Sequence, residues 1–204
     1  MHVTIDGHGT DVPILDHEKL EDVIKRISEN LENGRCINRV HLDGADVTGS
    51  VLDRSSQVRN FASLEIETGS SRELALETLK SLEDFSQSMM QELTRTAEEF
   101  RLGDEDLSNQ LFMRCLDGLQ IMIRVTYSIG NLLEVDLREV LIEESNIPSL
   151  INRINELLDE LIEAQTQNDT ILLADLIEYE LQPVLEDWMK AYHILKQDKS
   201  SVKI

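Results

Sequence analysis

Apolar positions follow two different periods along the chain, and the change falls at Thr68-Gly69-Ser70-Ser71. Upstream they form short runs punctuated by glycine, with six of the nine glycines at or before Gly69. Downstream they recur three and four residues apart, the period of a helix with one buried face. Two periods in series predict an α+β protein with three parts: a small module over 1–69, an all-α bundle over 70–197 and a frayed tail over 198–204.

In the first part, His2–Ile5 alternates as a strand does, and Asp6-Gly7-His8-Gly9 is a turn cluster. Asp11–Leu15 then reads as a second strand, with Pro13 holding it to an edge or an end. Asp16-His17-Glu18 opens a helix whose apolar face is Leu20, Val23, Ile24, Ile27 and Leu31, and Asn33-Gly34 stops it. Cys36–Leu42 is a third strand, ended by Asp43-Gly44, with Val47 starting a short return. Val51–Phe61 reads as a loop holding one helical turn. Ala62–Thr68 alternates Leu64 and Ile66 with Glu65 and Glu67, a half-buried strand.

This ββαββ order resembles the β-grasp, ubiquitin-like fold. The likeness is carried by Val3-Thr4-Ile5-Asp6-Gly7, the helix from Leu20 to Leu31, and Arg39-Val40-His41-Leu42-Asp43-Gly44. Sulfur-carrier members of that family use a free C-terminal Gly-Gly. Here the last strand runs into Gly69-Ser70-Ser71 with no diglycine, so the resemblance does not imply a carrier.

From Ser71 the pattern predicts four antiparallel helices with short connections and two proline bends. Ser70 or Ser71 caps the first, whose apolar stripe runs Leu74, Thr78, Leu82, Phe85, Met89, Leu93, Thr96 and Phe100. Leu102-Gly103-Asp104 breaks it, and Asp104 caps the second helix. That helix carries Leu107, Leu111, Cys115, Leu119, Met122, Thr126 and Ile129. A neighbouring stripe adds Phe112, Leu116, Ile123 and Tyr127, a face broad enough for a bundle centre or a dimer interface. A third helix starts near Leu137 and is interrupted at Pro148, which opens a new segment through Leu150, Ile151, Ile154, Leu157, Leu158 and Leu161. Asp169 or Thr170 caps the last helix, which Pro183 bends about Tyr179. Asp175, beside that helix's apolar stripe, reads as a helix-boundary acid that reaches solvent, with a pair to Arg114 or Arg124 as the alternative.

The net charge of −21 changes the picture, because the chain beyond Gly69 holds 12 basic against 27 acidic residues. Duplex nucleic acid and anionic membranes recruit clustered Lys and Arg, so neither is an expected partner. No apolar run approaches the roughly 18 residues of a membrane span, and no secretory signal opens the chain. The two cysteines, Cys36 and Cys115, are read as free thiols of a cytoplasmic protein.

Catalytic and cofactor chemistry finds no set of residues. A di-iron bundle needs Glu-x-x-His, but Lys190 stands three before His193, the sole histidine of the helical part. Asp43-Gly44-Ala45-Asp46 lacks the rhythm of a calcium loop. Gly7 and Gly9 give GxG without a third glycine. His2, His8 and Asp6 near the chain start read as solvated, and the paired acids Glu98-Glu99 and Glu143-Glu144 as helix surface. The expected metal and cofactor content is none.

A non-enzymatic interaction protein, an adaptor or chaperone-like module, is therefore the leading expectation. Its binding surface would be the bundle grooves, and its partner a protein segment such as an amphipathic helix. Trp188, Tyr192, Tyr179, Phe112 and Tyr127 are the candidate partner-binding residues, weighed in the case of Trp188 against plain core packing. The helical part is similar to the flagellin-export chaperones in Leu157, Leu158, Leu161, Ala164, Asp169, Leu172 and Trp188. That family lacks an N-terminal β-grasp-like module, and the resemblance implies grooves that bind an amphipathic partner helix. The alternatives are a small-ligand or enzyme pocket between the modules and a structural homo-oligomer, a homodimer for instance.

Overall fold

The computed structural model describes residues 1–10, 12–15, 17–48, 57–103 and 105–197. The readings of Asp11, of Asp16 as a helix opener, of most of Val51–Phe61, of Asp104 as a cap and of the tail 198–204 lie outside these residues. The chain is α+β and divides into two compact units, Met1–Leu74 and Ala75–Ile204.

Among the described residues, the first unit is a five-stranded sheet with one α-helix and a 3-10 turn at Val58–Asn60. Its strands are β1 (His2–Ile5), β2 (His8–Gly9), β3 (Arg35–Leu42), β4 (Ala45–Asp46) and β5 (Ser63–Ser70), in the spatial order β2-β1-β5-β3-β4. β1 runs parallel to β5, and the other neighbours are antiparallel. The register lines up Val3 with Leu64, Ile5 with Ile66, Leu64 with Leu42 and Ile66 with Val40, so one face of the sheet is apolar across its centre. Helix α1 (Leu20–Glu29) buries Leu20, Val23 and Ile27 in the same core. The second strand is thus two residues at His8–Gly9 rather than Asp11–Leu15. The tight turn through Asp6 and Gly7, both at positive φ, reverses the chain at once, and residues 12–15 take no strand pairing.

Asp6 fastens the two central strands. Its carboxylate accepts from the Thr68 backbone N–H and the Thr68 hydroxyl, both at 2.7 Å, and from Arg35 at 3.1 Å. These bonds hold the Asp6 carboxyl below the usual range, the Thr68 backbone N–H being the largest cause. Gly69 and Ser70, which the sequence reading takes as a joint, are paired with Cys36 and Arg35 inside the sheet. The Ser70 hydroxyl accepts from Glu73 N–H at 3.3 Å, and helix α2 (Ser71–Leu102) starts with no linker between.

The second unit is an antiparallel bundle of α2, α3 (Glu105–Leu133), α4 (Ile147–Thr166) and a long last helix. Direction is fixed by cross-helix contacts. Ser86 and Thr96 of α2 meet Met122 and Cys115 of α3, while Glu83, Thr94 and Arg101 meet Lys196, Gln182 and Asp175 of the last helix. The buried line of α2 is Ala75, Leu79, Leu82, Ser86, Met89, Leu93, Thr96 and Phe100. That is a regular alternation of four- and three-residue steps, a heptad seam. The expected stripe is one residue off at Leu74, Thr78 and Phe85 and meets the seam at Leu82 and from Met89 onward. Phe85 lies at the seam's edge and packs over Gly118, and Ser86 takes the interior position.

The last helix is α5 (Thr170–Asp175), a π-helical turn (Leu176–Leu181) and α6 (Gln182–Gln197) in direct succession. Asp169 caps it by accepting from Leu172 N–H at 2.9 Å. Pro183 has no N–H for the carbonyl four residues back, and the wider π turn just before it absorbs that loss. Asp175 pairs with Arg101 rather than Arg114 or Arg124, because the antiparallel partner at that level is the end of α2. Arg114 instead pairs with Glu92. Among the described residues, no helix is long and apolar enough to cross a membrane.

Asp6→Asn keeps a side chain that tolerates positive φ but removes the ionised acceptor. A carboxyl depressed in the fold contributes stability above its unfolded value of 3.8, lost as pH falls through the lower folded value. The wild-type first unit should therefore lose stability between pH 5 and 2 by more than Asp6→Asn does, measured by denaturant unfolding followed at Thr68. Equal slopes would refute the role given to Asp6.

Candidate functional site

The end of α3 departs from local preference. Glu134 takes positive φ, where glycine is usual. Its N–H donates to Asn131 O at 3.2 Å, and Val135 N–H donates to Gly130 O at 3.0 Å, the two reverse bonds of a Schellman ending. The chain then folds Leu137 back over Gly130. A Cβ on Gly130 would lie 2.9 Å from two Leu137 side-chain carbons, so only glycine permits this approach.

The following turn is tied by charge. Asp136 accepts from Arg138 N–H and Nε at 2.9 and 3.0 Å and from Nη2 at 2.6 Å. The Arg138 guanidinium is the largest cause that holds the Asp136 carboxyl down at about 2. A two-residue hairpin follows, β6 (Leu141–Ile142) with β7 (Ser145–Asn146), turning at Glu143. Asn146 then caps α4 by accepting from Ser149 N–H at 3.0 Å, with Pro148 in the first turn. The expected helix from Leu137 is thus a correction: residues 137–146 make a turn and a hairpin, with α4 opening at Ile147.

Between these pieces lies a pocket of about 370 Å³. Tyr127, Gly130, Val135, Leu137 and Pro148 line it with carbon, and Asn131, Asp136 and Arg138 supply its polar groups. It lies wholly within the helical unit, whereas the alternative expectation looked between the modules. Its ionisable groups are the Asp136 carboxylate, bound to the Arg138 guanidinium, and the Tyr127 phenol. Among the described residues, no three histidines, cysteines or acids come together as metal ligands.

The five aromatic candidates separate. Tyr127, 45% exposed, lines the pocket. Tyr179, 63% exposed, projects from the π turn, whose acids bind outward-facing arginines: Glu178 to Arg101 and Glu180 to Arg153. Phe112 is core, edge-on to Phe100 with centroids 6.1 Å apart. Trp188 and Tyr192 are fully buried. Trp188 Nε1 donates to the Thr126 hydroxyl at 3.2 Å, and Thr126 donates to Met122 O at 2.8 Å. Burial pushes the Tyr192 phenol up to about 12, partly offset by the nearby Thr126 and Ser86 hydroxyls. Its hydroxyl makes no hydrogen bond of ordinary geometry. These three residues hold the bundle together and offer no surface to a partner.

Asn131, Asp136, Arg138 and Pro148 were not singled out as site residues, because a helix read through Leu137 scatters them. The usable signal was Glu134: an acid at a helix C-terminus, unfavourable with the dipole, followed by an Asp-x-Arg turn.

The fold and pocket together define an α+β protein made of a small mixed-sheet unit and a helical-bundle unit with a side pocket. The chain belongs to the family described as Domain of unknown function (DUF8042), whose model matches residues 77–191. Residues 1–70 are similar to a second family model, the TP0873 N-terminal domain. No curated protein and no solved structure matches the chain.

Two measurements check this assignment of roles. Thr126→Val should cost about 1–3 kcal/mol, since it leaves Trp188 Nε1 buried without an acceptor, while Tyr192→Phe should be neutral or mildly stabilising. Thermal unfolding of both variants compares them directly. In an NMR titration, Asp136 should titrate near 2 and move toward 3.8 in Arg138→Ala.

Proposed function

We propose that the helical unit is a non-enzymatic protein-interaction module and that the pocket beside the end of α3 receives the partner segment. The observation that supports this best is the pocket itself, an open concavity whose lining mixes carbon with the polar groups of Asn131, Asp136 and Arg138. Its roughly 370 Å³ sits at the low end of the range of about 300–1,000 Å³ for binding sites. The side chains around it supply shape and orientation, and no pair among them is arranged for proton transfer or nucleophilic attack. Tyr127 is the one sequence-picked aromatic that serves this reading as a contact. The free thiols Cys36 and Cys115 accord with a reducing compartment such as the cytoplasm.

The test fills the pocket without touching the core. Asn131 is exposed at the lining, so Asn131→Trp should leave the bundle folded by circular dichroism. It should also abolish crosslinking-assisted capture of the partner obtained with the wild-type chain. Ile162→Ala, on exposed α4 surface, should leave capture intact. A partner retained equally by all three proteins would remove the pocket from the interaction. A stoichiometric small molecule in native mass spectra, displaced by Asn131→Trp, would replace the reading with a ligand-binding one.

A further inference from the structure

We propose that the outward face of α3 is a self-association surface, on which a second copy of this chain packs antiparallel about a two-fold axis between Gln120 and Ile121. The proposal stands apart from the pocket reading. Of the residues it turns on, only Tyr127 also lines that pocket.

The surface is set apart by its lack of charge. Between Leu107 and Leu133 the sequence holds three charged residues, Arg114, Asp117 and Arg124, in a chain that is 29% charged. The exposed face of α4, by contrast, carries Glu156, Asp159, Glu160 and Glu163. The exposed positions of α3 include Met113, Ile121 and Tyr127 instead. Of the stripe read from the sequence as a broad face, Phe112 is buried and Leu116 and Ile123 are half-buried, so the outward face lies further round the helix. Two chains of net charge −21 repel, and they approach most readily where the surface is nearly uncharged.

The charges that are present fit a copy of the same face. Asp117 and Arg124 are seven residues apart, about two turns of helix, so they lie on one line along it. Both are exposed, and among the described residues neither makes an ion pair. Arg114 is already engaged by Glu92 of α2. A second α3 run antiparallel brings Asp117 of each copy against Arg124 of the other, so one pattern yields a symmetric pair of salt bridges. The same register sets Met113 beside the Tyr127 ring, a favourable sulfur–aromatic contact, and places Gln120 and Ile121 each beside its own counterpart at the axis. A parallel arrangement would face Asp117 with Asp117 and Arg124 with Arg124, so charge selects the antiparallel one. A basic partner helix would meet Arg124 with the same sign, and an acidic one would meet Asp117.

From Met113 to Tyr127 the face spans about 21 Å. One helix pair of that length is a small interface, below about 1,200 Å² in total, so monomer and dimer should exchange with concentration.

The experiment is sedimentation velocity on the full chain over a wide concentration range. The wild type should move from monomer to dimer mass as concentration rises. Asp117→Arg alone and Arg124→Asp alone should each weaken dimerisation by about tenfold or more, since each turns two attractions into two repulsions. The two variants move the net charge in opposite directions, so a common loss is not a net-charge effect. The double swap, Asp117→Arg with Arg124→Asp, should restore dimerisation to within about threefold of wild type. Circular dichroism checks that all three stay folded, as expected of exposed positions. Register is read separately by mild oxidation in a Cys36→Ser background, which removes the half-buried thiol. Gln120→Cys should then form a disulfide-linked dimer, while Gln110→Cys, about 30 Å from its counterpart along the axis, should not. A wild type that stays monomeric throughout, single swaps that leave the dimer unchanged, or a double swap that fails to rescue would each overturn the proposal. So would crosslinking through Gln110→Cys in preference to Gln120→Cys. The pocket reading is tested by Asn131→Trp and stands or falls on that capture alone.

Discussion

The approach of Leu137 to Gly130 sets the shape of the pocket-bearing end of the bundle. With no Cβ at 130, Leu137 folds directly onto the last turn of α3, and the Schellman bonds to Gly130 and Asn131 follow. Everything downstream inherits this reversal: the Asp136–Arg138 turn, the hairpin, and the start of α4 at Ile147 with Asn146 as cap. A β-carbon at 130 would push Leu137 out, and overpacking of that kind costs about 1–3 kcal/mol. The pocket exists because the chain turns over a glycine instead of continuing as a helix.

The caps and stops were legible because each depends on a few adjacent residues. Asp169 and Pro148 announce helix starts through hydrogen-bonding capacity or fixed φ, and the structure uses both that way, whereas α1 already ends at Glu29 and the expected stop at Gly34 serves as the turn into β3. Strands β1, β3 and β5 were legible from alternation, but β2 was placed too late, since His8 and Gly9 read as part of the turn rather than as the two-residue strand they form. Residues 137–146 were not legible. Leu137, Val140 and Leu141 repeat at helical spacing, and the cross-chain bonds that make them a turn and hairpin are set by Gly130 and Asn146 at a distance.

The interior of the bundle shows why large apolar residues are an incomplete guide to a helix face. The regular seam of α2 runs through Ser86, a position that size and hydrophobicity would reject in favour of Phe85. Ser86 is accommodated because its hydroxyl donates to Leu82 O within its own helix at 2.7 Å, and Thr126 does the same toward Met122. Small hydroxyl residues that satisfy themselves can enter a core, and there they leave room for Trp188 and Tyr192. The same reasoning separates the aromatic candidates. Trp188 and Tyr192 were expected on one stripe of the last helix and are buried there, while Tyr179, within the π turn, is exposed. No periodicity count anticipates a register shift of that kind.

Acidity is a property of the whole chain, but its consequences are local. On the outer faces, acids pair with arginines across helices, as Glu178 and Asp175 do with Arg101 and Glu180 with Arg153, so the negative charge is partly spent within the fold. Such exposed pairs contribute little stability, typically a few tenths to about 1 kcal/mol. At the end of α3 the arrangement differs in kind. Arg138, largely exposed, binds Asp136 two residues away, and Glu134 sits at a position that suits glycine, after a last turn of α3 that carries no basic residue of its own. Departures from local preference that the fold itself does not need are expected at functional positions rather than at structural ones. The capping bonds of α3 would form as well with glycine at 134, so the negative charge there is not explained by the turn.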